Sequence, residues 1–158
     1  MTIKVTRVDA DHFADWQGLL DIILGAFSYM DGRIDPPSSA HRLTLESLKE
    51  KARAEITYIA TENDTLLGCI FCKPEVETLY IGKLAIAPEA QGKGVGRMLL
   101  AAATVLAREL QKPVIRLETR IELVENHAIF SRWGFVKTRE YAHAGYDHPT
   151  SIEMRKSV

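Results

Sequence analysis

The stretch Leu84-Ala85-Ile86-Ala87-Pro88-Glu89-Ala90-Gln91-Gly92-Lys93-Gly94-Val95-Gly96-Arg97 decides how the chain is to be read. An apolar strand ends at a proline, glycines follow at alternate positions, and an apolar helix begins at once. Several backbone N–H groups at that helix start are therefore bare of side chains, and such a turn can wrap an anion. No acidic residue falls between Glu89 and Glu109, while Lys93 and Arg97 occupy the first turn. Cations there oppose the helix dipole at a cost of about 0.3–1 kcal/mol each, a placement that makes sense when a phosphate takes the helix end. A nucleoside-triphosphate turn needs G-x-x-x-x-G-K-[ST], but Gly96 is followed by Arg97-Met98. A dinucleotide turn needs G-x-G-x-x-G, and here the third glycine is misplaced, although Glu118 lies at a suitable distance downstream. Both of those readings fail.

Outward from the turn, the pattern predicts a strand over 78–86 before it and a helix over 94–110 after it. Val95, Leu99, Ala102, Leu106 and Leu110 share one helix face, and Pro113 ends the element. Strands are expected at 2–8, 56–61 and 66–73, the last two joined by a turn at Asn63-Asp64, and again at 114–119, 135–142 and 151–155. From Asp11 the period changes: Phe13, Trp16, Leu20, Ile23, Leu24 and Phe27 mark a helix, with Asp9 or Asp11 as its cap. A charged helix over 44–54 and a short one over 126–133, closed by Gly134, complete the set. Between the first two helices, Ser28 to Ser39 contains Asp31-Gly32 and Pro36-Pro37 and reads as a long loop of the kind that lines binding sites. The order is β-α-α-β-β-β-α-β-α-β-β, an α/β fold built on a mixed sheet.

Composition narrows the function classes. A chain of 158 residues fits one domain over 1–158. Twenty Lys and Arg against 21 Asp and Glu give a formal net charge of -1, which offers no field to hold a polyanion, so a nucleic-acid partner is not expected. No apolar run is long enough to span a bilayer, and the N-terminal residues show no signal-like apolar core, so no membrane association is expected. Cys69 and Cys72 form a CxxC inside a strand with no second Cys/His pair at zinc spacing. They read as buried thiols in a reducing, cytoplasmic protein without a metal.

Gln91-Gly92-Lys93-Gly94-Val95-Gly96 resembles the Q/R-x-x-G-x-G/A signature of the GNAT superfamily of acyl-CoA N-acyltransferases. Asn126-His127-Ala128-Ile129-Phe130-Ser131-Arg132-Trp133-Gly134-Phe135 is similar to that family's N-x-A-x-x-Y/F-x-x-x-G-F segment. The order of elements matches over most of the chain. The resemblance implies a mostly antiparallel sheet of six to seven strands flanked by about four helices, with the fourth strand splayed from the fifth. It also implies coenzyme A, delivered as acetyl-CoA, in the gap. Gly92, Lys93, Gly94, Val95, Gly96 and Arg97 would then bind the pyrophosphate with Gln91 alongside. The backbone of Leu84, Ala85 and Ile86 would pair with the pantetheine arm, Asn126 would hydrogen-bond that arm, and Phe130 would pack near the sulfur. Family members often form homodimers, but no apolar strip in this sequence specifies one.

Direct acetyl transfer needs a neutral amine, an oxyanion donor and a route for protonating the leaving thiolate. By the resemblance, the donor is a backbone N–H near Ile86. Many members carry a tyrosine general acid four residues before the G-F pair, where this chain has Phe130. Tyr141, Tyr146 or a water remain as proton donors, and a thiol of pKa around 8–9 can also leave unassisted. For the base, Tyr80 and Glu77 are the nearest counterparts of a strand glutamate found in some members, with Glu118 and His127 as alternatives. Asp31, Asp35 and Asp147 are loop acids available to a cationic amine. The expected reaction is acetylation of a small-molecule or peptide amine, and the alternative is an acyl-CoA-binding module without turnover.

Overall fold

A computed structural model describes residues 2–158, so Met1 lies outside the described residues. The elements follow in the expected order: β1 (Ile3–Arg7), α1 (Trp16–Phe27), α2 (Leu45–Ala54), β2 (Ile56–Glu62), β3 (Thr65–Pro74), β4 (Thr78–Ile86), α3 (Val95–Glu109), β5 (Val114–Arg120), α4 (Val124–Arg132), β6 (Val136–Tyr141) and β7 (Ser151–Ser157). The strands form one seven-stranded sheet in the order β1-β2-β3-β4-β5-β7-β6. Every neighbouring pair is antiparallel except β4 and β5. On one face, Val95, Leu99, Leu100, Ala103, Leu106 and Ala107 of α3 pack on Ile70, Leu79, Ile81, Ile115 and Met154. On the other, Trp16, Leu19, Leu20 and Ile23 of α1 and Leu48 and Ala52 of α2 cover Ile59, Cys69, Phe71 and Ala85. Each large apolar side chain removed from water contributes about 1.5–3 kcal/mol, so both layers are tied firmly to the sheet.

Several boundaries differ from the sequence reading, among them the end of the last strand, which runs on to Ser157. The first helix starts at Trp16 because Asp9 is used in a tight turn. Its carbonyl accepts from the His12 and Phe13 N–H groups, its carboxylate takes the Asp11 N–H, and Asp15 becomes the cap by accepting from Gly18 at 3.0 Å. Phe13 then packs edge-on against Trp16 from outside the helix, while Leu24 faces outward. The helix α3 ends at Glu109, and Gln111 takes a left-handed φ of 58°, which leaves Leu110 exposed and not in the core. The last helix begins at Val124, two residues early. The two thiols fall in opposite layers, Cys69 under α1 and Cys72 under α3. Burial pushes both up to about 12, so they are inert packing residues that cannot join each other.

The feature that positions the site is a bulge in β4. Gly82 pairs with Phe71 and Ala85 with Cys69, so Lys83 and Leu84 together stand opposite the single residue Ile70. Lys83 has φ of 47°, the left-handed conformation that bends the strand. Pairing of β4 with β5 runs only from Thr78–Val114 to Tyr80–Arg116. Beyond Tyr80 the strands diverge, and a V-shaped gap opens between them. On its other side β4 stays clamped to β3, with the Ala85 carbonyl pressed against Gly68 so closely that a Cβ there would lie 2.7 Å from the oxygen. The substitution Gly68→Val therefore has to push β4 off β3. We expect a loss of about 2 kcal/mol or more in chemical denaturation, with a fall in melting temperature.

Candidate active site

The edge of β4 that faces the gap can be read from its other edge. The Ala87 N–H bonds back to the Leu67 carbonyl at 2.8 Å, and the Ala85 carbonyl abuts Gly68. Strand alternation then turns the N–H and C=O groups of Leu84 and Ile86 into the gap, where β5 no longer meets them. An extended ligand can complete this edge as a strand would. The Ile86 N–H is a fixed dipole at the same place, positioned to stabilise negative charge on a carbonyl oxygen.

The gap runs toward the glycine turn at the start of α3. Gly92 and Gly94 have φ of 83° and 78°, with nothing within 4 Å of a notional Cβ, so these glycines serve the backbone path. Gly96 serves packing, because its Cβ would meet the Trp133 ring at 3.1 Å. The helix cap is Gly94, which offers no side-chain acceptor. Among the described residues, the N–H groups of Gly92, Gly94, Val95, Gly96 and Arg97 have no hydrogen-bond partner. Lys93 lies 3.9 Å from Glu62, and the exposed Gln91 and Arg97 side chains make no bond or ion pair. The convergence of bare donors and cations can hold a phosphate or pyrophosphate.

At the fork of the gap, polar groups collect on the face not covered by α3. The Arg116 guanidinium donates to Glu75 at 2.8 and 3.0 Å, to Glu118 at 2.8 Å and to Glu153 at 3.2 Å, and lies 4.6 Å from the Tyr80 ring centroid. Arg116 holds Glu75 down at about 2. Burial, and then the nearby Glu118 carboxylate, push Tyr80 up to about 12. Tyr80 is therefore a protonated phenol that can donate but is poorly suited to act as a base. The Tyr141 hydroxyl is buried and faces Glu118, and burial, then that carboxylate, push it well above the ordinary tyrosine value. Glu118 retains partial exposure and stands as the carboxylate between these groups. Arg116 organises the cluster, and the sequence reading missed it. An arginine between Ile115 and Leu117, which are both buried, was the signal available.

The loop after α1 closes over one side. Arg120 donates to the carbonyls of Pro36 at 2.6 Å and Pro37 at 3.1 Å, Glu122 accepts from the Asp35 N–H at 3.1 Å, and Arg33 pairs with Glu125 at 2.6 Å. The Tyr146 hydroxyl donates to Asp35 at 2.5 Å, and this bond raises its pKa. Asn126 Nδ2 donates to the Tyr29 hydroxyl at 2.8 Å, so in the free protein Asn126 fastens the loop to α4. His127 donates from Nε2 to the Arg120 carbonyl at 2.9 Å, which gives it a capping role. Phe130 packs edge-on between Trp133 and Phe135, joining α4 to the sheet. Glu77 is exposed ahead of β4 and does not reach the cluster. An open groove of about 540 Å³ beside Arg7, Asp9 and Ile56 touches neither β4 nor β5.

A mixed sheet splayed at its one parallel pair, with a bulged edge in the gap and a glycine turn of bare donors at its end, is the acyltransferase type of α/β fold. Residues 16–135 match the acetyltransferase (GNAT) family, and the chain belongs to that family. It is 31% identical over 88 residues to the N-alpha-acetyltransferase 30 of Schizosaccharomyces pombe, an alignment covering 52% of this chain and 59% of that protein. The chain thus spans less than two thirds of that relative's length. It is 28% identical over 130 residues to the IAA acetyltransferase of Azospirillum brasilense, covering 80% and 82% of the two chains. A GNAT acetyltransferase from Elizabethkingia anophelis, solved with acetyl-CoA bound, superposes with a TM-score of 0.70 at 18% identity over 99% and 98% of the chains, which shows the shared fold.

The Glu75–Arg116 bond has a pH signature. A carboxylate held lower in the folded than in the unfolded state stabilises the fold above the unfolded value, about 4.3, and loses that effect as pH falls toward the folded value. In urea unfolding, Glu75→Gln should be less stable than the parent at neutral pH. The difference should shrink between about pH 5 and pH 2.

Proposed function

We propose that the protein transfers the acetyl group of acetyl-CoA to the primary amine of a small molecule or peptide by direct attack, in the cytoplasm and without a metal. The observation that carries this reading is the free edge of β4, with the N–H groups of Leu84 and Ile86 aimed into a gap that leads to the bare donors of Gly92 and of residues 94–97. Pantetheine would add to that edge. The pyrophosphate would lie on Gly92, Lys93, Gly94, Val95, Gly96 and Arg97, with Gln91 at the side and the thioester carbonyl at the Ile86 N–H. Among the described residues no group of His, Cys, Asp and Glu side chains could hold a metal ion, and no helix is long and apolar enough to cross a membrane.

Attack by the amine on the thioester carbon forms a tetrahedral intermediate whose oxyanion the Ile86 N–H would receive. Collapse breaks the C–S bond and releases coenzyme A as thiolate or thiol. Glu118, partly exposed at the fork, would take the amine proton, directly or through water. Tyr80 and Tyr141, both kept protonated by burial, are the phenols near enough to this cluster to return one. Tyr146, tied to Asp35, fits a role in holding the loop better than one in proton transfer. Phe130 favours a second reading, a coenzyme A binder without turnover, because the family's usual tyrosine is absent from that position.

Calorimetry with coenzyme A and thiol release over an amine panel separate the two readings. Binding with turnover supports transfer, binding without turnover on any amine supports the module, and no binding overturns both. Gly94→Asp places a carboxylate in the phosphate turn at a left-handed residue and should weaken coenzyme A binding by about tenfold or more. Glu118→Gln should lower kcat by about 10²-fold and flatten the acid limb of the pH–rate profile. An unchanged profile would remove Glu118 from the proton path.

A further inference from the structure

The acids that the sequence offers to a cationic acceptor are already paired within the protein. Asp31 meets His41 at 2.6 Å, Asp35 accepts from Tyr146, and Asp147 meets His148 at 3.0 Å. Lys83 in the β4 bulge, and Arg42 at the end of the 39–42 turn whose Ser39 the lysine holds, show the reverse condition. Lys83, the bulge residue itself, projects on the α1 side, where its ammonium donates to the Ser39 hydroxyl at 3.0 Å and lies 5.7 Å from the centre of the Phe27 ring. Among the described residues it has no carboxylate within ion-pair distance, and neither has Arg42, three residues after Ser39. The charged groups that act most strongly on Lys83 are the cations Lys51, Arg42 and Arg120 and the acid Glu55. Glu55 is engaged by Lys51 at 2.7 Å. Arg120 spends its donors on the Pro36 and Pro37 carbonyls and has Glu122 and Asp35 for company. Burial and the surrounding cations lower the Lys83 pKa, the response of an ammonium without a counter-charge.

A half-buried ammonium left without an anion is costly, and the simplest remedy is a ligand that brings one. On the opposite wall of the fork stands Glu118, a carboxylate beside two neutral phenols. The cleft is thus bipolar, acidic where the amine must be deprotonated and basic where the loop covers β4. Under that loop lies a cavity of about 260 Å³ lined by Met30, Asp31, Ile34, Pro37, Ser38 and His41, with Ser38 next in the chain to the serine that holds Lys83. We propose that Lys83 and Arg42 form a carboxylate subsite in the acceptor cleft, and that the acceptor is an amino acid or similarly short amino carboxylate. The inference rests on the acetyl-transfer reading given above. The carboxylate anchors on Lys83 and Arg42 while the amine points to Ile86 and Glu118, and the cations that hold the anion also disfavour a protonated amine.

The test compares acceptors that differ only in charge: glycine, β-alanine, phenylalanine and glutamate, each beside its carboxamide, with a diamine as the cationic reference. The carboxamide amines are the less basic, so a preference for the acids cannot arise from amine protonation. Near neutral pH the acids should have kcat/KM about tenfold or more above their amides, chiefly through KM. Lys83→Met, which keeps the linear stem, should bring the acid-to-amide ratio down at least about fivefold. Arg42→Gln, on the surface and without a partner to lose, should lower it about twofold to threefold and decides the matter if Lys83→Met does not fold. Amides or the diamine used as well as the acids, or an unaltered ratio in the folded variants, would overturn the subsite while leaving acetyl transfer intact. Coenzyme A binding with no thiol release from any acceptor would overturn the transfer reading and the subsite with it.

Discussion

The structure depends on one unequal competition for β4. Along its first residues the strand has two neighbours, β3 on one side and β5 on the other. At Lys83–Leu84 an extra residue and a left-handed φ bend it, and it can follow only one of them. It follows β3, because Gly68 lets the Ala85 carbonyl close in and the apolar pairs on both faces are complete there. The edge facing β5 is left with polar backbone groups that nothing among the described residues satisfies. An unpaired strand edge is normally a liability. Here it lies in a cleft whose depth is set by α3 on one face and by α1 and its loop on the other.

The same bend distributes charge. Residues before it alternate regularly, so Tyr80 falls on the polar face with Arg116 and Glu118. The bulge sends the Lys83 side chain to the α1 side, toward Phe27 and Ser39. Around Arg116 three carboxylates crowd one guanidinium, and the cluster carries surplus negative charge that is partly exposed at Glu118. Around Lys83 the surplus is positive. The near-neutral whole chain hides three local fields: a basic turn at Lys93 and Arg97, an acidic fork, and a basic patch under the loop.

Much of this could be read from residue order. Pro88 and the glycines after it stopped one element and started the next, the helical period exposed the apolar face of α3, and Asn63-Asp64 marked a hairpin whose residues do take positive φ. The misplaced boundaries were places where a polar side chain had two local uses. Asp9 could cap a helix or close a turn, and the turn won because its carboxylate and carbonyl were both satisfied sooner. Leu110 continued the apolar period, but the left-handed Gln111 ended the helix before it.

The sequence by itself determined the order of strands and helices, the glycine turn with its two cations, and the departure from family pattern at Phe130. These are local matters, fixed by periodicity, by glycine and proline conformations and by spacing along the chain. Only the tertiary structure decided which charges are free. Asp31 and Asp35 look available until residues 10 and 111 positions away occupy them. Lys83 looks like an ordinary strand lysine until the fold surrounds it with cations and gives it a hydroxyl and a ring in place of an acid. Electrostatic pairing acts through space over a few ångströms, and the distances that decide it are set by packing between elements far apart in the chain.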